Sequence, residues 1–146
     1  MALNEKKQLI YRYFEEMWNA WNFQIADEII AEKIVFQGSL GVTTSGREGL
    51  KQYMRTVQTA FPDWYNKIEE LIMEDDKLCA LMTYTGTHKG PLFGLEPTGK
   101  QIKYAGTAFF RIEKQQIVYG WVLGDRLNLW QQLGAIPQPV PGPQSS

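Results

Sequence analysis

The spacing of apolar residues changes once along the chain, near Trp64, and this change restricts the folds that the chain can adopt. Before Trp64, apolar residues recur every three or four positions, as they do along one face of an amphipathic helix. After Trp64, apolar and polar residues alternate, as they do in strands with one buried face. A group of helices followed by a group of strands predicts the α+β class rather than alternating α/β units.

The helical part of the chain divides into three predicted helices. The first runs over 4–21, and the second, shorter helix begins at Asn22. The third begins at Ser45, which forms an S-x-x-E capping box with Glu48. A short strand at 34–37 and a loop rich in Gly, Ser and Thr separate the second helix from the third.

Four strands follow, and the last one passes directly into a short helix that begins after Asp125 and ends before Gly134. The predicted strands are 64–74, 77–88, 102–113 and 115–124. In the last strand, alternation predicts that four residues share a face with Asp125, namely Ile117, Tyr119, Trp121 and Leu123. A curved, mainly antiparallel sheet with three helices on its concave side encloses a cone, so we expect a half-barrel around an apolar cavity.

Length and composition limit the possible functions. The 146 residues predict one domain, which we place at 1–135, and the proline-rich segment 136–146 predicts a disordered or extended tail. Fifteen basic and sixteen acidic side chains give no indication of a nucleic acid or membrane partner. The single cysteine, Cys79, cannot form an internal disulfide, and no apolar leader or membrane-spanning run is visible, so we expect a soluble cytoplasmic protein.

Two motifs connect the sequence with a known family. The segments GTHKG at 86–90 and FGLEPTGK at 93–100 form the first, and the closing WVLGDRLNLWQQLG at 121–134 forms the second. Both resemble the corresponding stretches of SnoaL-like polyketide cyclases, and the resemblance covers almost the whole chain apart from the tail. It implies the cone-shaped α+β barrel of the nuclear-transport-factor-like superfamily and a homodimer packed through the outer face of the sheet.

The resemblance also implies a role for Asp125. In polyketide cyclases of this family, an aspartate at the end of the last long strand is the general acid/base of an intramolecular aldol closure that needs no cofactor. The local sequence offers another role, because aspartate is a preferred N-cap and a helix follows Asp125 directly. The two roles are compatible. One departure from the family is Gly120, where many relatives carry a histidine.

The sequence indicates a second catalytic candidate and a set of pocket residues. His88 is the only histidine, so a metal site of the usual N/S type is not expected, and the ring either polarises substrate or forms local hydrogen bonds. Large apolar residues usually belong to the core, but some must line a cone and would suit a flat apolar substrate. The predicted pocket residues are Phe14, Trp18, Phe36, Met54, Phe61, Tyr104 and Trp121.

These observations favour a cofactor-independent enzyme that removes a proton next to a carbonyl, followed by ring closure or isomerisation of an apolar small molecule. A non-catalytic carrier of a hydrophobic metabolite is an alternative, because one fold serves many functions. A dehydratase or an epoxide hydrolase is a further alternative. Epoxide hydrolysis would need an Asp–Arg–Asp relay, for which Arg111 and Arg126 are available but no second inward-facing acid is evident.

Overall fold

The computed structural model describes residues 3–137, so the predicted tail lies outside the described residues from position 138 onward. Helix α1 continues without a break into a π-helical segment, and the two together correspond to the predicted first helix. In chain order the elements are α1 (Leu3–Tyr11), the π-helical segment (Arg12–Trp18), a 3-10 turn (Phe23–Ile25), α2 (Ala26–Ile29), β1 (Ile30–Gln37), β2 (Thr43–Ser45), α3 (Gly46–Ala60), β3 (Tyr65–Glu74), β4 (Lys77–Thr87), β5 (Gln101–Glu113), β6 (Gln116–Gly124) and α4 (Arg126–Gln132).

The strands form one curved, unclosed sheet in the order β2-β1-β6-β5-β4-β3. All neighbouring strands are antiparallel except β1 and β6, which run parallel. The predicted α+β class and the four long strands are confirmed. The alternation of β5 is also confirmed, because its even-numbered residues from Ile102 to Ile112 are buried on the side of the helices.

The start of α3 differs from the prediction. The Ser45 side chain makes no capping hydrogen bond, so the predicted capping box is wrong. Ser45 is instead the last residue of β2, paired with Val35 of β1, and the pairing holds its backbone extended. Arg47 ties α3 to the sheet, because its Nε and Nη2 atoms donate to the Ile30 carbonyl at 3.0 and 2.7 Å.

The faces of β6 are also different from the prediction. A β-bulge shifts the register between β5 and β6 after Ile117, which is buried, and the side chains beyond it face the other way. Val122 therefore faces the core, whereas Trp121 is 38% exposed and Leu123 is 66% exposed. The prediction that Ile117, Tyr119, Trp121 and Leu123 share one face is wrong, because a bulge leaves no clear mark in the alternation of the sequence.

The core lies between the concave face of the sheet and the helices. Tyr13, Phe14 and Phe110 form an edge-to-face group at its centre, with ring centroids 4.8 to 5.7 Å apart. Such aromatic pairs stabilise the folded protein by more than the burial of their apolar area alone would. Among the described helices, none combines the length and apolar character needed to cross a membrane.

Candidate functional site

A small cavity lies inside the cone, between the sheet and the helices. Phe14, Trp18 and Phe36 line it, as predicted, and Tyr53 and Tyr84 also contribute to its wall. Its free volume is about 20 Å³. A water molecule needs roughly 10–15 Å³ by this kind of measure, whereas small-molecule sites commonly span about 300–1,000 Å³. The aromatic side chains therefore fill most of the cone.

Tyrosine hydroxyls provide most of the polar groups beneath the sheet. The Tyr104 hydroxyl and Ser39 Oγ are hydrogen-bonded at 2.7 Å, and the Leu40 N–H donates to the Tyr53 hydroxyl at 3.1 Å. Burial raises the pKa of Tyr53 to about 12, and it raises the pKa of Tyr104 and Tyr84 well above the ordinary value. These phenols therefore keep their protons at neutral pH and can donate hydrogen bonds.

The loop 38–42 forms one wall of the cavity and depends on two glycines. A Cβ at Gly38 would overlap the Tyr53 ring, and a Cβ at Gly41 would overlap the Arg126 guanidinium. Gly41 also has a φ of +83°, which disfavours any larger residue. The loop is therefore held between Tyr53 on one side and the exposed Arg126 on the other. Arg126 makes no ion pair with any residue in 3–137.

Asp125 occupies the junction between β6 and α4. Its N–H donates to the Ala105 carbonyl at 2.9 Å, and its carboxylate accepts the Asn128 N–H at 3.2 Å. The helix that it caps ends before Gly134, whose φ of +79° stops the helix as the sequence predicts. Asp125 is exposed and is not among the residues that line the cavity. Its role as N-cap is confirmed, and its role as general acid/base stays a prediction.

His88 lies away from the cavity and anchors the connection 88–100. Its ring is fully buried, and Nδ1 accepts the Thr98 N–H at 3.1 Å, which assigns the proton of the neutral ring to Nε2. The backbone of His88 also bonds Lys100 and Gly99 at 2.9 and 2.8 Å. Burial lowers the pKa of His88. Of the two roles left open by the sequence, local hydrogen bonding is the one observed.

The remaining predicted pocket residues divide into three groups. Met54 and Phe61 are fully buried core residues outside the cavity lining. Tyr104 lies behind the lining, bonded to Ser39 and packed against the Tyr84 ring. Trp121 lies on the outer face of the sheet, stacked on Tyr119 with ring centroids 6.3 Å apart, so its assignment to the pocket is wrong. The bulge in β6 explains this error.

Sequence reasoning also missed residues that line the cavity. Tyr13, Tyr53, Trp64 and Tyr84 all belong to the wall. Tyr84 could have been found, because it alternates with other buried residues along β4. The others depend on how the helices pack against the sheet, and their spacing alone does not separate wall from core.

Residues 8–133 match the sequence model of the SnoaL-like polyketide cyclases. The chain belongs to this family. The resemblance read from the two motifs is therefore confirmed. No protein among the curated sequences matches the chain.

Solved structures with the same fold include other members of this group. A protein from Jannaschia sp. CCS1, named as a SnoaL-like polyketide cyclase, has a TM-score of 0.83 at 19% identity. The match covers 92% of this chain and 94% of that protein. AclR from Streptomyces galilaeus, named as a hydroxylase, has a TM-score of 0.81 at 24% identity, with coverages of 95% and 87%. A protein from Acidithiobacillus ferrooxidans, named as a polyketide cyclase, has a TM-score of 0.77 at 27% identity, with coverages of 92% and 99%.

Proposed function

We propose that the protein is a cofactor-independent enzyme of the polyketide cyclase type, acting on an apolar carbonyl compound. The family match over residues 8–133, which includes the motif around Asp125, is the observation that carries this proposal. Family membership supports a small-molecule enzyme of cyclase or hydroxylase type. The aldol chemistry and the role of Asp125, which the family resemblance implies, are part of the proposal.

In this proposal the Asp125 carboxylate takes a proton from a carbon next to a substrate carbonyl. The enolate carbon then attacks a second carbonyl of the same molecule, one carbon–carbon bond forms, and Asp125 returns the proton to the new alkoxide oxygen. Within the described chain the carboxylate accepts one hydrogen bond, so it retains acceptor capacity for this proton. Arg126, exposed and unpaired among the described residues, would favour the negative charge that develops on the enolate oxygen.

The size of the cavity limits how a substrate can bind. A free volume of about 20 Å³ cannot enclose a polycyclic molecule. We therefore propose that most of the substrate stays outside the cone, near the loop 38–42 and Asp125, while one group enters. His88 takes no part in the chemistry in this scheme and holds the connection 88–100 in place.

The test compares Asp125→Asn with the wild type on a set of linear diketones, with the cyclic β-hydroxy ketone, and any enone that it forms by losing water, measured by chromatography. Asparagine keeps the N-cap but cannot accept the proton, so the rate of closure should fall by at least about 100-fold. Asp75→Asn in the β3–β4 turn is the matched control, because Asp75 is exposed and has a φ of +54° that asparagine tolerates. Closure at the wild-type rate in Asp125→Asn would exclude this residue as the base.

One observation favours a second candidate, a non-catalytic carrier of a hydrophobic metabolite. Asp125 already has a complete structural role as the cap of α4, and its side chain is exposed. A carrier would bind the diketones without turning them over, and Asp125→Asn would leave their affinity unchanged.

We also propose that the protein is a homodimer packed through the outer face of the sheet. Large apolar side chains are exposed there, among them Leu81 at 43%, Trp121 at 38% and Leu123 at 66%. Pairing places Phe109 opposite Trp121, so the apolar surface continues across neighbouring strands. Apolar surface of this extent on one face supports an interface between proteins, and the family resemblance favours a second copy of this chain as the occupant.

A further inference from the structure

Two buried side-chain polar atoms lack a hydrogen-bond partner in the described part of the chain, the Tyr84 hydroxyl and Nε2 of His88. A buried donor without an acceptor costs free energy, so such a group in a folded protein requires an explanation. Of the two residues, Tyr84 lines the cavity inside the cone, whereas His88 does not. The Tyr84 hydroxyl is therefore the orphan donor that a molecule in the cavity could reach.

Three contacts fix the direction of the Tyr84 ring. Trp64 stacks on it with ring centroids 5.6 Å apart, and Tyr104 lies against it at 5.1 Å. On the sheet side, its Cε2 atom is 2.7 Å from the position that a Cβ on Gly106 would occupy, so the ring uses the space left by that glycine. Because the ring is enclosed on these sides, the hydroxyl is held in place before anything binds.

The other polar side chains around the cavity already have partners. Ser39 Oγ is bonded to the Tyr104 hydroxyl at 2.7 Å. The Asn66 side-chain amide donates to Oδ1 of Asn19 at 3.0 Å. Most of the remaining wall is aromatic or aliphatic. A molecule that enters the cavity therefore meets, among mainly apolar side chains, a buried hydroxyl that makes no hydrogen bond within the described chain, which favours a ligand with an oxygen at its leading end.

We propose that the Tyr84 hydroxyl donates a hydrogen bond to a carbonyl oxygen at the leading end of an otherwise apolar ligand. The free volume of about 20 Å³ admits a group of one or two heavy atoms, which is the size of a carbonyl. Burial keeps the pKa of Tyr84 well above its ordinary value, so the phenol stays neutral and acts as a donor. The inference rests on the proposed function only for the choice of a carbonyl compound as the ligand.

The experiment compares two probes that differ in one atom, cyclohexanone and methylenecyclohexane, in which a CH₂ group replaces the carbonyl oxygen. Their affinities for the full chain are measured by titration with two-dimensional amide NMR. The preference is defined as the ratio of the affinities for cyclohexanone and methylenecyclohexane, divided by the same ratio in Tyr84→Phe, where the ring remains and the hydroxyl is lost. One net hydrogen bond corresponds to a preference of roughly 3- to 10-fold. The affinity of Tyr84→Phe for methylenecyclohexane should not decrease.

A second readout separates binding from a structural role. Removing an orphan hydroxyl should leave the melting temperature of the free protein unchanged or raise it. Tyr104→Phe is the matched control, since it removes a hydroxyl that is bonded to Ser39 and should lower the melting temperature. The proposal is overturned if the wild type and Tyr84→Phe have the same affinity ratio, so that no preference exists, or if Tyr84→Phe lowers the melting temperature as much as Tyr104→Phe.

Asp125→Asn distinguishes this inference from the proposed function. The variant should retain the full preference for cyclohexanone, because the carboxylate is not among the residues lining the cavity. If Asp125→Asn cyclises diketones normally but the preference is present, the catalytic proposal fails and the Tyr84 site stands. If cyclisation is lost in Asp125→Asn but no preference exists in the wild type, the Tyr84 site fails and the catalytic proposal stands.

Discussion

The two faces of the sheet are both rich in apolar side chains, yet they differ in what surrounds them. On the inner face, Tyr84, Tyr104 and Phe110 are buried beneath the helices and leave little free volume. On the outer face, Trp121 and Leu123 are exposed, and no described element covers them. Tyrosine hydroxyls lie among the apolar side chains of the inner face. The proposed ligand site and the proposed interface therefore differ in burial and in buried hydroxyl groups, not in apolar content.

The largest effect that we expect tests the outer face. Leu123→Glu would place a carboxylate at the centre of the proposed dimer interface, and burial of a charge without a partner is strongly unfavourable. The mass measured by light scattering should fall from twice 16.8 kDa to 16.8 kDa.

The matched control is Leu127→Glu, since Leu127 is 57% exposed but lies on α4 rather than on the sheet. This control should remain dimeric. A wild-type protein that is monomeric, or a Leu123→Glu variant that stays dimeric, would remove the outer face as the interface.

A smaller effect is expected on the inner face at Gly120. A Cβ there would lie 2.8 Å from the Phe36 ring and 3.3 Å from the Phe110 ring. Gly120→Ala should therefore reduce the free energy of unfolding by about 1–3 kcal/mol in urea titration, as overpacking commonly does.

Shortening the opposing ring should relieve the clash. In the Phe36→Leu background, adding Gly120→Ala should cost less than it does in the wild type, which a double-mutant cycle measures. Equal costs in both backgrounds would show that Phe36 does not limit the space. The same contact gives a physical reason for a glycine at this position, because Phe36 occupies the room that a side chain would need.

The next effect concerns the cap of α4. Asp125→Ala removes the acceptor for the Asn128 N–H and should lower the free energy of unfolding by about 1 kcal/mol, whereas Asp125→Asn should change it by at most a few tenths. Urea titration of both variants measures the difference. Equal stability of the alanine variant and the wild type would mean that the cap contributes nothing, which would leave function as the only explanation for the acid.

The smallest effect concerns His88 and the dependence of protein stability on pH. Burial lowers the pKa of His88 in the folded protein, so the unfolded chain takes up a proton first as the pH falls. Stability should be fully present above the ordinary histidine pKa of about 6.5 and should decrease below it, until the folded protein is also protonated. Urea midpoints between pH 7.5 and 5.5 should follow this trend.

His88→Gln provides the comparison, because it removes the only histidine of the chain and leaves a neutral side chain at that position. Its midpoint should vary less over the same interval, where carboxylates such as Asp63, whose pKa is lowered, remain ionised. An unchanged slope in His88→Gln would assign the pH dependence to another group.

The sequence was sufficient for the order of the long strands and for the cap of α4, because these depend on local spacing and on single residues such as Asp125 and Gly134. It was insufficient for β2 (Thr43–Ser45), which lies in the segment predicted as a loop. It was also insufficient for the faces of β6, where the bulge reversed Trp121. The missing cap at Ser45 has a similar cause, since pairing with β1 decided its conformation. Which aromatic residues line the cavity depends on distant contacts, and no local pattern carries that information.

The near-complete filling of the cone has a kinetic consequence. With about 20 Å³ free, a carbonyl can enter the cone as it stands, whereas any larger group enters only after aromatic side chains have moved. For a molecule that inserts such a larger group, the observed rate of binding should level off at high concentration, at the rate at which the cone opens. The measured affinity would be reduced by the fraction of molecules that are open at any moment, so a variant that loosens the wall would bind faster and more tightly without gaining a contact.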